Sequence, residues 1–338
     1  MLHLSYEDKT IIVACYAQAL SLGHTLLCKT IRSSTITAYL SAVSALFASH
    51  PAGLRDPTVV PHGRGRPSLL AKVLAEHRRW ESMPNRREPV TKAMLYWIQS
   101  EARASTPHSC LSALSDWCLL AMFLGLRLSE FLQLKENAER GLLQTNLDGL
   151  PQAFILADVS FFGPRKEILH VDHTSAAHYD KISGFSIRWR YQKNLQNGET
   201  KMLVRNTRTP ALCPVRAMLR ICHRVVMLRV PSSWPLAVYQ SSRGPCCLLN
   251  HKQMETLIKQ AAKAVYKLTP KNLQKFSVHS LRVGACVMLH VAGFSADDIK
   301  FELRWRSDAF RDYLRNVLST ATAKTRSLQN FDPDDIPF

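Results

Sequence analysis

Apolar positions recur at helical spacing over most of the chain. Ser33 or Ser34 can cap a helix whose apolar residues Ile36, Tyr39, Leu40, Val43, Leu46 and Phe47 fall on one face. Leu69, Leu70, Val73, Leu74 and Trp80 predict a second helix. Two basic, proline-bearing stretches, Pro61–Pro67 and Pro84–Pro89, break the pattern, because proline disfavours helix at and before itself. Beyond them, Met94, Leu95 and Ile98 mark a helix, and Leu111 to Leu124 another that stops at Gly125. A short helix starts near Leu128. The period then changes. Ala153–Val159, Ile168–Val171 and Phe185–Tyr191 read as strands, and in the last Ile187, Trp189 and Tyr191 alternate with Arg188, Arg190 and Gln192. Asn197-Gly198 predicts a two-residue hairpin turn. From Pro214 onward the pattern is mostly helical again, with no internal repeat and no low-complexity segment. The expected fold is mainly α with a small antiparallel β-sheet. Its expected parts are a small helical domain over 1–83, a linker over 84–89, a larger domain over 90–328 and an acidic tail over 329–338.

With 338 residues, the chain suits two domains rather than one core. Charge changes the picture more than size does. Lys and Arg number 44 against 26 Asp and Glu, a net charge of +18. Folding does not need that excess, and self-repulsion opposes it, so a polyanionic partner is implied. The excess is concentrated: from Lys181 to Arg229 there are 11 Lys or Arg and one acid, Glu199. A solvated basic face is the plainer reading. A membrane surface is disfavoured, because no basic amphipathic helix stands alone. No apolar run reaches the length of a membrane span, and Met1 to Tyr6 lacks the features of a secretory signal. The nine cysteines include no Cys-x-x-Cys pair, and Cys246, Cys247 and His251 do not have zinc-site spacing. They read as buried free thiols of a reducing compartment, with no metal site.

Four scattered pieces look ordinary alone and specific together. They are Gly125-Leu126-Arg127-Leu128-Ser129-Glu130; Lys193; His279-Ser280-Leu281-Arg282; and Arg304-Trp305-Arg306-Ser307-Asp308-Ala309-Phe310-Arg311-Asp312-Tyr313. Singly, Arg127 reads as a surface cap, Lys193 as a solvated turn residue, and Trp305 and Tyr313 as core or rim. His279 and Arg282, three apart on a helix, share a face. A guanidinium gives phosphate paired hydrogen bonds, and an imidazole moves a proton near neutral pH. There is no Gly-x-x-x-x-Gly-Lys-Ser/Thr loop for nucleotide hydrolysis and no compact carboxylate cluster for two magnesium ions.

The order Arg127, Lys193, His279-x-x-Arg282, Trp305, Tyr313 resembles the active-site signature of the tyrosine recombinases, the phage integrase family. The resemblance covers nearly the whole chain. Trp305 falls 23 residues after Arg282, where the family carries His or Trp, and Tyr313 falls where it carries its nucleophile. Leu212-Cys213-Pro214-Val215-Arg216-Ala217 and the Trp305–Tyr313 segment look most like eukaryotic mobile-element recombinases of the Crypton and DIRS-like kinds. Two departures stand out. The Trp305-to-Tyr313 gap of eight is one shorter than in bacterial and phage members, and the glycine common before the Trp or His is replaced by Arg304. The helical first part is also short at its start relative to that family, which implies a further N-terminal helix or DNA-binding domain.

The resemblance implies a SAM-like core-binding domain over 1–83 and an α+β catalytic domain over 90–328. It implies a metal- and ATP-independent DNA recombinase or integrase that works through a 3′-phosphotyrosine on Tyr313, with no cofactor. Arg127 and Arg282 would clamp the phosphate, Lys193 would protonate the 5′-oxygen, His279 would assist proton transfer from Tyr313, and Trp305 would hold the phosphate by its indole N–H. Glu130 would orient Arg127. Arg64, Arg66, Arg86, Arg87, Arg188 and Arg190 are expected to contact DNA. The implied partners are double-stranded DNA and further copies of the chain in a synaptic tetramer, with the tail 329–338 passed to a neighbour. The nucleus follows from the substrate rather than from a targeting signal. A catalytically inactive, domesticated DNA-binding protein and a type IB topoisomerase-like activity remain as other readings.

Overall fold

The computed structural model describes residues 4–24, 30–61, 65–81, 86–146, 149–174, 179–192, 197–305 and 307–314. Lys193, Arg64 and the tail 329–338 therefore lie outside the described residues. The architecture is mainly helical with small antiparallel sheets. The chain divides into two compact units, Met1–Pro84 and Asn85–Phe338.

The first unit packs α1 (Tyr6–Ser21), α2 (Ser33–Ala48) and α3 (Ser68–Trp80) around a small core of Val13, Ala17, Ile36, Leu40, Leu70 and Leu74. Helix α1 was not foreseen. It buries the small face Thr10, Val13, Ala14 and Ala17, whereas Ile11, Ile12 and Tyr16 are exposed. In α2 the buried stripe is only Ile36, Leu40 and Phe47; Tyr39 and Leu46 face solvent. No serine hydroxyl caps α2. Arg32 is the N-cap, and the Glu81 carboxylate accepts from the Ser33 amide instead. A carboxylate at a helix N-terminus meets both an orphan N–H and the positive end of the dipole.

The second unit begins with a strap. The amides of Glu88 and Val90 donate to the carbonyls of Lys275 and Ser280, and Arg87 Nη1 donates to the Gln274 carbonyl at 2.6 Å. Val90 is buried in the unit's core. Next come α4 (Lys92–Arg103) and α5 (Cys110–Leu124), which is apolar all round and buried nearly all round, as a central helix should be. Its one carboxylate, Asp116, is buried and paired with Arg220 at 2.6 Å and Arg224 at 2.8 Å. The short helices α6 (Leu128–Phe131) and α7 (Lys135–Glu139) follow.

Strands β1 (Val159–Phe162), β2 (Ile168–Leu169), β3 (Gly184–Arg188) and β4 (Thr200–Val204) form an antiparallel sheet in the order β2-β1-β3-β4. Residues 156–158, expected as strand, form a 3₁₀ turn. Asn197-Gly198 is not a two-residue hairpin turn. Ladder pairing ends at Arg188↔Thr200, and the connection spans 189–199, with its described ends held by Trp189 N to Glu199 O, Gly198 N to Trp189 O and Gln192 N to Asn197 Oδ1. Helix α8 (Pro214–Met227) covers the sheet and α5, and β5 (Val238–Gln240) pairs with β6 (Cys246–Leu248) in a hairpin the pattern did not announce. Then come α9 (His251–Tyr266), α10 (Pro270–Leu273), α11 (His279–Val291), α12 (Ala296–Glu302) and α13 (Arg311–Leu314). Gly284 lets α11 seat on the strap and α5: a Cβ there would lie 2.3 Å from the Val90 carbonyl oxygen.

The eight described cysteines are free thiols, four of them buried; burial pushes the Cys222 thiol up to about 12. Among the described residues no helix is long and apolar enough to cross a membrane.

Candidate active site

The end of α5 sets the first arginine. Gly125 caps the helix in the left-handed region, φ +58°, where a side chain would be strained and its Cβ would strike Leu303. The turn buries Leu126 and delivers Arg127 as the N-cap of α6. Glu130, buried one turn on, accepts from the Arg127 amide at 2.9 Å and from its Nη1 at 3.1 Å. Backbone and guanidinium of Arg127 are thus held by one carboxylate.

The start of α11 sets the next pair. Arg282 is 3% exposed, and its Nη1 and Nη2 donate to the carbonyls of Gly125 and Leu303. Its guanidinium lies over the Trp305 ring, 4.8 Å from the centroid. His279, one turn earlier, opens on the same side. Its Nε2 is 3.0 Å from the Tyr313 hydroxyl.

The 303–314 segment closes the site. Leu303 and Phe310 are its buried anchors, packed with Ile299, Ala285 and Cys286. Trp305 and Tyr313 pack on that cluster, with ring centroids 5.8 Å apart. Arg304 has φ +53°, an uncommon conformation for a residue with a side chain. It is nonetheless 6% exposed, with Nη2 3.0 Å from Glu130 Oε2 and Nη1 3.2 Å from the Leu124 carbonyl.

A cavity of about 530 Å³ opens among Arg127, His279, Arg282, Trp305 and His251. Three guanidiniums, of Arg127, Arg282 and Arg304, gather around the Glu130 carboxylate, and the cavity-lining carboxylate of Glu255 is paired with Lys252 and Lys259, so the local charge favours an anion. Burial, then the neighbouring Arg127 and Arg304, push the Arg282 guanidinium down to about 9, which leaves it cationic at neutral pH. Burial, then the Arg282 and Arg87 charges, hold His279 below the usual imidazole range, so the neutral ring is favoured. The Trp305 indole N–H has no acceptor among the described residues. The same is true of Trp117 and Trp189, but those are sealed in the core, whereas Trp305 lines the cavity.

The structure therefore gathers Arg127, Glu130, His279, Arg282, Trp305 and Tyr313 in one place. The other expected contacts are dispersed. Arg66 lies in the first unit just before α3. Arg86 and Arg87 lie on the strap, where Arg87 is tied to Gln274. Arg188 is half exposed, 4.0 Å from Asp158. Arg190 is committed to structure, with its Nε on the Asp158 carboxylate at 2.8 and 2.9 Å and its Nη2 on the Ala153 carbonyl.

Two residues near the site, Arg304 and His251, were not singled out as part of it. Arg304 registered only as a missing glycine. His251 drew notice only beside Cys246 and Cys247, at a spacing that makes no zinc site; it lines the cavity, and its Nδ1 accepts from the Lys135 amide at 3.2 Å. Lys201 on β4 pairs with Glu302 at 2.5 Å, and burial pushes its ammonium down despite that partner.

No family model and no curated protein matches the sequence. Solved structures do match. One is the Tn1549 transposon integrase in complex with transposon right-end DNA, at 13% identity over 95% of this chain and 85% of that one, TM-score 0.48. Another is a lambda integrase dimer bound to a COC′ core site, at 14% identity over 100% and 85%, TM-score 0.42. A third is XerA recombinase, at 12% identity over 96% and 91%, TM-score 0.38.

Proposed function

We propose that the chain breaks and rejoins DNA strands as a tyrosine recombinase, with Tyr313 as the nucleophile. The observation that carries this is the Tyr313 hydroxyl, 3.0 Å from a neutral-favoured His279 at a cavity lined by Arg127 and Arg282. A phenol, a proton acceptor and two guanidiniums are what in-line attack on a phosphodiester requires.

In this reading the Tyr313 oxygen forms a bond to phosphorus as His279 takes its proton. The bond from phosphorus to the 5′-oxygen breaks, and Lys193 supplies the proton that the leaving oxygen needs. The donors that Arg127 and Arg282 do not spend on protein carbonyls and Glu130 hold the non-bridging oxygens, with the Trp305 indole N–H as a further donor. The 3′-phosphotyrosine keeps the ester energy, so a second 5′-hydroxyl can reverse the step. Double-stranded DNA is the partner that a net charge of +18 favours. The mobile-element origin, the synaptic tetramer, the nuclear setting and the DNA contacts of Arg64, Arg66, Arg86, Arg87 and Arg188 belong to the same proposal.

A suicide duplex, nicked so that the cleaved end diffuses away, tests it. Wild type is expected to accumulate a covalent DNA adduct. Tyr313→Phe, which removes one oxygen and little packing, is expected to bind the duplex and form none. An adduct of wild-type yield in Tyr313→Phe overturns the assignment. No adduct from wild type, with tight DNA binding retained, supports the domesticated binding protein instead. Joining of two marked duplexes, as against relaxation of supercoils alone, separates recombination from a topoisomerase-like activity.

A further inference from the structure

Consecutive peptide carbonyls, those of Leu303 and Arg304, each receive a guanidinium: Arg282 Nη2 on the first and Arg127 Nη2, at 2.8 Å, on the second. The spacing of the two arginines is therefore set by one dipeptide. The left-handed backbone at Arg304 turns the chain after α12 at this point. Glycine takes that conformation at least cost, yet the position holds an arginine.

The arginine side chain adds a second hold on Arg127. Arg304 Nη2 donates to Glu130 Oε2 at 3.0 Å, while Glu130 Oε1 accepts from Arg127 Nη1 at 3.1 Å. Arg304 Nη1 reaches the Leu124 carbonyl at 3.2 Å, where α5 ends. Its guanidinium covers Trp189, 4.0 Å from the ring centroid, at the base of the 189–199 connection that carries Lys193. The side chain is 5% exposed, both terminal nitrogens are hydrogen-bonded to protein and the guanidinium lies over Trp189, so it is placed chiefly to orient other groups.

From this we infer that Arg304 is a positioning residue, which fixes the phosphate-facing orientation of Arg127 through the shared Glu130 carboxylate and ties that clamp to the hairpin end at Trp189. The inference rests on the proposed strand-transfer reading and deepens it.

Arg304→Gly separates backbone from side chain, because glycine keeps the left-handed turn and both carbonyls while losing the hold on Glu130. Expected are DNA affinity within about twofold of wild type and adduct formation slowed roughly 10- to 100-fold, the range seen when a group orienting a site's ligands is removed. Arg127→Ala is slow by itself, and Arg127→Ala with Arg304→Gly is expected to be no slower, since the second change has no clamp left to misplace. Arg304→Lys keeps the charge and a stem against Trp189 but loses the fork. It is expected to fold, to show an intermediate defect and to be equally non-additive with Arg127→Ala, so it carries the test if the glycine variant does not fold. A wild-type rate in the glycine or lysine variant, or multiplicative losses in the double variant, overturns the role of Arg304 while leaving strand transfer intact. Absence of any adduct from wild type defeats the underlying reading instead.

Discussion

The Tyr313 hydroxyl and His279 Nε2 lie 3.0 Å apart although 34 residues separate them in the chain, and the rings are tilted at 59° with centroids 5.7 Å apart. An imidazole in that position can take the phenol proton only while it is neutral. Burial and the Arg282 and Arg87 charges hold its pKa below 6.5. Adduct formation is accordingly expected to be insensitive to this group at pH 7 and above, and to fall as pH drops below 6.5 through the depressed pKa. A pre-steady-state rate profile from pH 5 to 8 checks this; a rate that falls with rising pH across that range contradicts it.

The same shift has a consequence for stability. His108, His173 and His279 are all pushed below 6.5, with burial as the largest cause in each. Below pH 6.5 the unfolded chain binds protons at these positions that the folded chain refuses, so ν_U exceeds ν_N and stability rises with pH. The second unit is expected to lose thermal stability as pH falls from 6.5 and to gain little from pH 7 to 8. A midpoint that rises on acidification over that window would show the histidines to be stabilised as cations.

Arg127 and Arg282 are alike in the proposed chemistry and unlike in the fold. Arg282→Ala strands the Gly125 and Leu303 carbonyls in a buried place, a cost of about 1–3 kcal/mol for each group left unsatisfied. Arg127 is more exposed, and its acceptor Glu130 keeps Arg304 as a partner although the Arg304 carbonyl loses its donor, so Arg127→Ala is expected to cost about 1–2 kcal/mol, the typical net worth of two such hydrogen bonds. Adduct formation is expected to fall by roughly 10²- to 10³-fold in Arg127→Ala, as for loss of a single transition-state donor elsewhere. Urea unfolding beside single-turnover cleavage separates the two effects; equal destabilisation by both substitutions would contradict the difference in their burial.

How much of this was legible in the sequence varies by element. Helices α4 and α5 and the Gly125 stop could be anticipated, because apolar periodicity is a local signal, whereas the gathering of Arg127, His279, Arg282, Trp305 and Tyr313 followed only from the resemblance of their order to the recombinase signature. Helix α1 could not, since its buried face mixes Lys9, Thr10, Ala14 and Ala17 with only Val13 and Leu20 as larger apolar residues, while its isoleucines point outward. Arg190 alternated like an exposed residue, but its partner Asp158 is 32 positions away in a buried turn. The Asn197-Gly198 signal was real as local chemistry, since Gly198 takes φ +88°, yet the hydrogen bonds it makes extend the connection instead of closing a tight hairpin. Arg304 looked like a mere loss of glycine because its use depends on Glu130, 174 residues earlier.

Asp116 gives a test of the second unit's core that does not depend on function. Its carboxylate is 2% exposed and binds both Arg220 and Arg224, and Arg224 is itself 1% exposed. Asp116→Ala leaves an uncompensated buried guanidinium, so destabilisation of about 3–5 kcal/mol is expected, as for removal of one partner from a buried ion pair. Arg220→Ala removes the more exposed partner and is expected to cost far less. Similar losses for the two substitutions would mean that Arg224 is satisfied chiefly by the Pro107 carbonyl, which it also reaches at 3.0 and 3.1 Å.

One lysine, Lys193, falls within the 189–199 connection and another, Lys201, just beyond it, and different roles are expected of them. Lys201 is engaged: its Nζ is 2.5 Å from Glu302 Oε2 and 3.4 Å from the Glu302 carbonyl, which pins β4 to the end of α12. Burial is the largest influence on its ammonium and pushes it down, so the proton is more easily lost there than from a free lysine. That alone would suit a general acid. The pairing argues the other way, because surrendering the proton to a leaving oxygen would strand the buried part of the Glu302 contact. Lys193 is therefore expected to be the acid. The measurement uses a duplex whose 5′-bridging oxygen is sulfur, since a thiolate leaves without protonation. Lys193→Ala is expected to be slow on the ordinary duplex and to recover on the sulfur one. Lys201→Met is expected to lose thermal stability, and to be affected equally on both duplexes. The reverse pattern, with selective recovery in Lys201→Met and none in Lys193→Ala, would make Lys201 the acid and the Glu302 pair its proton relay.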